Sequence, residues 1–196
     1  MSHCSRCGAR TERQIPAGED REREVCPACG EIHYVNPKMV VGCIIEHEGR
    51  VLLCKRAIEP RRGYWTVPAG FLELGESAMA GAVRETHEEA QARVRVVAPY
   101  AHLDVPHIGQ IYLIYRARFV EPTFAAGPES LDVRLVPPEE IPWSEIAFPV
   151  VRYSLEFLVE DLRRGTFRTH HGVVVRDERG YALEDHLGLA LGPHAE

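Results

Sequence analysis

The alternation of apolar and polar positions changes near Pro37. Before it the chain carries Cys4, Cys7, Cys26 and Cys29 and almost no aliphatic run; after it apolar segments begin at once. The break predicts a small module over 1–36 and a main domain over 37–196. The main domain opens with two apolar runs, 39–47 and 50–56, joined across Glu48-Gly49, and turn residues between β-branched runs predict a hairpin. A loop rich in Pro, Arg and Gly (59–63) leads to a strand-like stretch, 64–67, closed by Pro68. From Met79, the positions Ala82, Val83, Thr86 and Ala90 fall 3, 4, 7 and 11 steps on, and Ser77 suits the N-cap, so a helix is predicted over 77–90. Further strands are predicted over 93–97, 110–120 and 131–136, and a second helix over 150–164, ended by Gly165. Hairpins mixed with two helices imply an α/β sandwich with a mixed sheet. The extreme C-terminus is expected to be loosely held.

Composition narrows the class. The 196 residues, 45% hydrophobic and 27% charged, suit one core plus a small appendage. The longest apolar run, 39–45, is far short of the ~20 residues that cross a bilayer, so no membrane partner is expected. The first ten residues are polar and resemble no signal peptide, which points to a cytoplasmic location. Twenty-three basic against 29 acidic residues leave a net charge of −6, which argues against nucleic acid as a partner.

The cysteines change the picture of the first module. Cys4-x2-Cys7 and Cys26-x2-Cys29 are two knuckles eighteen residues apart, and the intervening segment is charged with almost no core of its own. Four thiolates at this spacing suit a tetrahedral structural Zn2+, whose binding would fold the segment by pinning its ends. A disulfide pair or free thiols is the alternative in an oxidising compartment. Cys43 and Cys54 lie in apolar runs and read as buried small hydrophobes.

The densest chemistry lies in 70–89, which holds Gly70, Glu76, Arg84, Glu85, Glu88 and Glu89. On a helix Glu85, Glu88 and Glu89 stand at i, i+3 and i+4 and share a face beside the apolar stripe. Like charges at that spacing cost stability unless something neutralises them. A hard divalent cation, Mg2+ or Mn2+, would do so through oxygen ligands. A solvated acidic face is the other reading of the same three residues.

Gly-x5-Glu-x7-Arg-Glu-x2-Glu-Glu, running from Gly70 to Glu89, resembles the signature of the Nudix hydrolases. The resemblance implies a Nudix-type α/β/α sandwich with a mixed sheet, preceded by a small zinc ribbon, and an enzyme that cleaves a diphosphate. It implies Glu85, Glu88 and Glu89 as Mg2+ ligands, Glu85 and Glu89 most directly, with a backbone carbonyl lent by Ala69. It implies an ion pair of Glu76 with Arg84 that fixes the loop, with Arg84 orienting a catalytic glutamate, and a tight turn at Gly70. A general base would lie within the motif or on the later loop 127–132, where Glu129 and Asp132 are the candidates. Thr86 stands where a bulky aliphatic is usual and Gln91-Ala92 where a Gly-aliphatic pair is usual; both departures spare the carboxylates.

The stretches 36–43, 49–56, 75–77 and 141–148 are similar to zinc-ribbon Nudix proteins of the plastid FAD pyrophosphatase type. That similarity implies hydrolysis of FAD to AMP and FMN, or of ADP-ribose, by a protein whose relatives are commonly homodimers. NADH pyrophosphatases carry a Pro-Trp-Pro-Phe-like stretch that 104–112 does not match, yet NADH stays as an alternative substrate, and a non-catalytic nucleotide sensor as an alternative of another class. Arg56, Arg61 and Arg62 would meet phosphates, with a solvated loop as the other reading, and Trp65, Phe71, Tyr112 and Tyr115 would stack on a base or flavin; core packing is the competing reading for the aromatics.

Overall fold

The computed structural model describes residues 3–178 and 180–190, and the chain divides at Pro37 into two compact units. In the first, β1 (Glu12–Gln14), β2 (Arg23–Val25) and β3 (Ile32–His33) form a three-stranded antiparallel sheet. Its two cysteine knuckles repeat one set of hydrogen bonds. The Cys4 amide donates to the Ala9 carbonyl and the Gly8 amide to the Cys4 carbonyl; the Cys26 amide donates to Glu31 and the Gly30 amide to Cys26, all at 2.8–2.9 Å.

The second unit contains β4 (Lys38–His47), β5 (Arg50–Arg56), β6 (Trp65–Thr66), β7 (Ala69–Phe71), α1 (Ala78–Ala90), β8 (Val94–Val105), β9 (Gln110–Phe119), β10 (Ser130–Val136), α2 (Pro149–Arg164), β11 (Arg168–Asp177) and β12 (Gly180–Ala190). The main sheet runs β10-β5-β4-β9-β8-β11-β12, with β6 paired to β5 and β7 to β4. β4 pairs with β9, and β8 with β11, in parallel; the remaining pairs are antiparallel. Side chains alternate faces along each strand. Val41, Cys43 and Ile45 of β4 and Leu52 and Cys54 of β5 therefore pack with Ala82 and Ala90 of α1. Ile44, Val51 and Leu53 face the opposite way, into a core completed by Val150, Val151, Leu155 and Leu158 of α2. A helix covers each face, which is the α/β/α sandwich with a mixed sheet anticipated above. Among the described residues no helix is long and apolar enough to cross a membrane.

One element differs from the sequence reading, and two residues noted there, Thr86 and Gln91, find their places in the structure. The strand expected over 93–97 continues to Val105; two register shifts, at Val96/Ala98 and Pro99/Ala101, absorb Pro99 without ending the pairing. Thr86 is wholly buried in α1 and donates its hydroxyl to the Ala82 carbonyl at 2.8 Å, so its polar atom is satisfied within the helix. Gln91 ends α1 in the left-handed region (φ 48°), its amide closing on the His87 carbonyl, a place where glycine is usual.

The hairpin β11–β12 has no counterpart among the predicted elements. It is joined to the rest of the unit by a buried polar cluster around Asp161, near the end of α2. The Asp161 carboxylate is fully enclosed and accepts from Tyr100 Oη (3.2 Å), the Arg168 amide (3.1 Å), Arg168 Nε (2.8 Å) and His170 Nε2 (2.9 Å). Burial alone would raise the Asp161 pKa; His170 and the Arg168 donors outweigh it and hold the group below its ordinary value. Because the ionised carboxylate only accepts, Nε2 of His170 carries the proton and its Nδ1 faces His186 Nε2 at 3.1 Å. The Phe157 ring stacks on both imidazoles, at 4.2 Å from His170 and 4.6 Å from His186. The expectation of a loosely held extreme C-terminus falls on 191–196, outside the described residues.

Candidate active site

α1 begins where Ser77 accepts the Ala80 amide at 3.2 Å. From about two turns further on, its polar face carries Arg84, Glu85, Glu88 and Glu89. Arg84 is the hub. Its Nη2 and Nε meet Glu76 at 2.7 and 3.1 Å, its Nη1 meets Glu85 at 2.7 Å and Glu88 at 2.9 Å, and Nη2 also reaches the Phe71 carbonyl at 3.1 Å. Such a two-point grip on a guanidinium fixes its plane, and these partners raise the Arg84 pKa, Glu76 most of all.

Glu89 is different. Only 5% exposed, it accepts the Ala69 amide at 3.2 Å. Burial pushes its pKa up to about 8, with the charges of Glu85 and Glu129 adding to the rise and Arg56 opposing it. Burial likewise raises Glu85. β7 supplies the floor beside these acids. Gly70 does not occupy the left-handed region, and no tight turn explains it; a Cβ there would stand 2.4 Å from the Glu85 carboxylate. The glycine leaves room for the Glu85 carboxylate where Arg84 holds it, which corrects the turn expected from sequence.

The loop after β9 passes over the exit of α1. The Ala125 amide donates to the Ala90 carbonyl (2.9 Å) and the Gly127 amide to Glu89 (3.0 Å), satisfying helix carbonyls that would lack partners. A Cβ on Gly127 would lie 1.7 Å from the Glu88 carbonyl oxygen, so only glycine lets the loop cross here. This crossing delivers Glu129 to a cleft of about 750 Å³ lined by Glu85, Glu88, Glu89, Arg84, Ala69, Gly70, Phe71, Arg56 and Tyr112.

The structure therefore brings together most of the residues singled out above and separates a few. Glu76 reaches Arg84 rather than the cleft. Asp132, the alternative to Glu129, lies on β10 and pairs with Arg134 at 2.6 Å. Trp65 is corrected outright: it is 6% exposed, part of the α2-side core, and flanked by the Lys55 and Arg134 cations, so it packs rather than binds. Trp65→Ala is accordingly expected to cost about 3 kcal/mol, read by denaturant unfolding, with KM little changed; a KM effect without a stability loss would return Trp65 to the binding surface. The cleft is also lined by residues that the sequence pattern does not single out, among them Ile108, Gln110 and Phe148. Phe148 precedes the first residue of α2, and the Arg56 guanidinium lies 5.1 Å from its ring centre. Arg56 is itself buried and tied by Nε to the Pro60 carbonyl at 2.9 Å. Nothing in the local sequence pattern marks Phe148 apart from the helix it precedes.

In the first unit, the four sulfurs of Cys4, Cys7, Cys26 and Cys29 lie within 4.8 Å of one another, with Cys4–Cys29 at 3.7 Å and Cys7–Cys26 at 3.5 Å. Thiolates about 2.3 Å from a tetrahedral zinc stand about 3.8 Å apart, so the donor set fits the metal. Cys43 and Cys54 are buried free thiols in the sheet, as expected.

Known proteins agree with this geometry. The family description NUDIX domain matches residues 36–154, and the zinc-ribbon description Nudix N-terminal matches residues 2–35. A solved NUDIX hydrolase from Nitrosomonas europaea is 48% identical, with a TM-score of 0.85 over 88% of this chain and 98% of its own. A curated NAD-capped RNA hydrolase NudC from Stutzerimonas stutzeri is 28% identical over 78% of this chain and 54% of its own length. An ADP-ribose pyrophosphatase from Methanocaldococcus jannaschii is 41% identical over 29% of this chain and 33% of its own. The chain thus spans from a third to about half of the length of these curated relatives. With the Gly70–Glu89 signature folded as a loop and helix against a mixed sheet, and the family description covering most of the second unit, the chain belongs to the Nudix hydrolases.

Proposed function

We propose that this Nudix hydrolase cleaves the diphosphate of an adenosine diphosphate joined to a second group: ADP-ribose, FAD or NADH. The observation that carries the reading is Glu89, a buried carboxylate held up to about 8 beside Glu85, at the base of a cleft walled by Arg56, Phe71, Tyr112 and Phe148. The donors there are all oxygens, which suits Mg2+ or Mn2+ better than softer ions. Glu85, Glu88 and Glu89, with the Ala69 carbonyl, would hold it. When bound, such an ion neutralises phosphate oxygens and lowers the pKa of water.

The chain's own groups do the rest. Arg84, fixed by Glu76, positions Glu85 and Glu88 on one side of the cleft. Glu129, carried in by the Gly127 crossing, would accept a proton from the attacking water. Arg56, held rigid by Pro60, offers its cation to the phosphates, while Tyr112, Phe71 and Phe148 offer ring faces to the base or the second group.

The test is product chromatography with ADP-ribose, FAD, NADH and an NAD-capped oligoribonucleotide in parallel, with magnesium present. AMP release from one or more of the first three supports the reading and ranks the substrates. Turnover confined to the capped RNA would favour the activity named for the NudC relative instead, and no turnover of any would leave a nucleotide sensor. The homodimer implied by the resemblance is checked on the same sample by light scattering.

For the first unit we propose a structural zinc ribbon. Cys26→Ser should release one zinc per chain, measured by elemental analysis, and make the first 36 residues protease-sensitive; full zinc retention would refute it.

A further inference from the structure

Two strands paired in parallel place three metal-ligating side chains on one face of the sheet. In the β8/β11 register His171 stands opposite His102 and Val173 opposite Asp104. Residues two apart on a strand share a face, so His102 and Asp104 project together and the register sets His171 beside them. The intervening and flanking residues of β8, Ala101, Leu103 and Val105, point the other way into the α2-side core.

The three side chains form a compact donor set. His102 Nε2 lies 3.3 Å from one Asp104 oxygen and His171 Nε2 3.6 Å from the other. One ligand atom from each residue falls within 4.8 Å of the others. Both imidazole–carboxylate distances exceed the roughly 2.7–3.2 Å of an ordinary hydrogen bond. Each imidazole faces its own Asp104 oxygen, at a spacing near the separation of about 3.4 Å between tetrahedral ligands roughly 2.0–2.1 Å from a zinc ion. The rings meet edge to face, at 82° with centroids 5.0 Å apart, and each turns its Nε2 toward the Asp104 carboxylate. Side-chain exposures of 46%, 31% and 42% for His102, Asp104 and His171 leave an approach from solvent and room for water.

We propose that His102, Asp104 and His171 form a second metal site for a borderline divalent transition ion, zinc above all, with water completing its coordination. Two imidazoles and one carboxylate favour zinc or nickel over magnesium. The site shares no residue with the cysteine cluster or the carboxylate cleft. Its ligands come from both partners of the β8/β11 pairing, which spans only 170–173 against 101–104. A bound ion therefore clamps the C-terminal hairpin to the rest of the sheet.

The experiment is a zinc count by elemental analysis after dialysis of the full chain against buffered zinc, with millimolar magnesium throughout to occupy the carboxylates. Wild type, His102→Ala, His171→Ala and the shape-preserving Asp104→Asn are compared, with circular dichroism as a check of folding. The expected result is one zinc per chain fewer in each folded variant than in wild type, with Cys26→Ser losing a different zinc, so that its combination with His102→Ala loses both. Equal zinc in wild type and the folded variants would overturn the proposal.

Discussion

Glu89→Gln is expected to lower turnover on the order of 10³-fold while leaving the magnesium-free protein as stable as wild type or more so. The reason is that Glu89 is buried and favours its neutral form up to about pH 8. Glutamine matches the neutral acid in shape and still accepts the Ala69 amide, but it supplies no charge for a cation. The same logic fixes a pH dependence. The folded-state pKa lies above the ordinary glutamate value of about 4.3, so between the two the folded chain holds a proton that the unfolded chain releases. Glu89's contribution is present in full below about pH 4 and is lost as pH rises through about 8. The wild-type melting temperature in magnesium-free buffer should therefore decline more steeply between roughly pH 5 and 8 than that of Glu89→Gln, and added magnesium should reverse the wild-type decline. Activity surviving the substitution, or parallel pH profiles, would remove Glu89 from the centre of the site.

Asp161→Ala is expected to be among the most damaging single changes to stability, about 3–5 kcal/mol. The carboxylate receives four hydrogen bonds inside the unit, two from Arg168 and one each from Tyr100 and His170. Its removal takes from a guanidinium, an imidazole and a phenol the carboxylate that all three share. For a chain of this size the melting temperature should fall by roughly 6–20 °C, read by calorimetry. A fall of a degree or two would mean that water replaces the carboxylate and that the cluster does not hold the hairpin.

Where chemistry is written at short range, the sequence was legible. Glu85, Glu88 and Glu89 share a face because helical spacing dictates it, and the two-residue gap within each cysteine knuckle is enough to turn both of its sulfurs toward one point. Helix α1, its Ser77 cap and the alternation in β4 and β5 follow from the same local periods. What could not be read depends on distant partners. Pro99 looks like the end of a strand, yet register shifts against β9 carry β8 on to Val105. Along β11 the buried positions do alternate, but they are His170, Gly172 and Val174, so a histidine and a glycine hide the apolar period. Trp65 and Phe148 look alike as large aromatics, and only packing separates the core residue from the wall of the cleft. Gly127 reads as ordinary loop, although the crossing of α1 depends on its missing side chain.

The parallel pairing of β8 with β11 also sets an order of events. His170 lies beside Ala101, some seventy residues away along the chain, with β9, β10 and α2 between them. Closing so long a loop is entropically costly and slow compared with the β4–β5 hairpin. As the chain leaves the ribosome, the carboxylate helix and its cleft can assemble while β8 still presents an unpaired edge. That edge is sealed only when β11 arrives, so a polypeptide stalled before residue 168 would possess the carboxylate cleft yet expose a sticky strand to its neighbours.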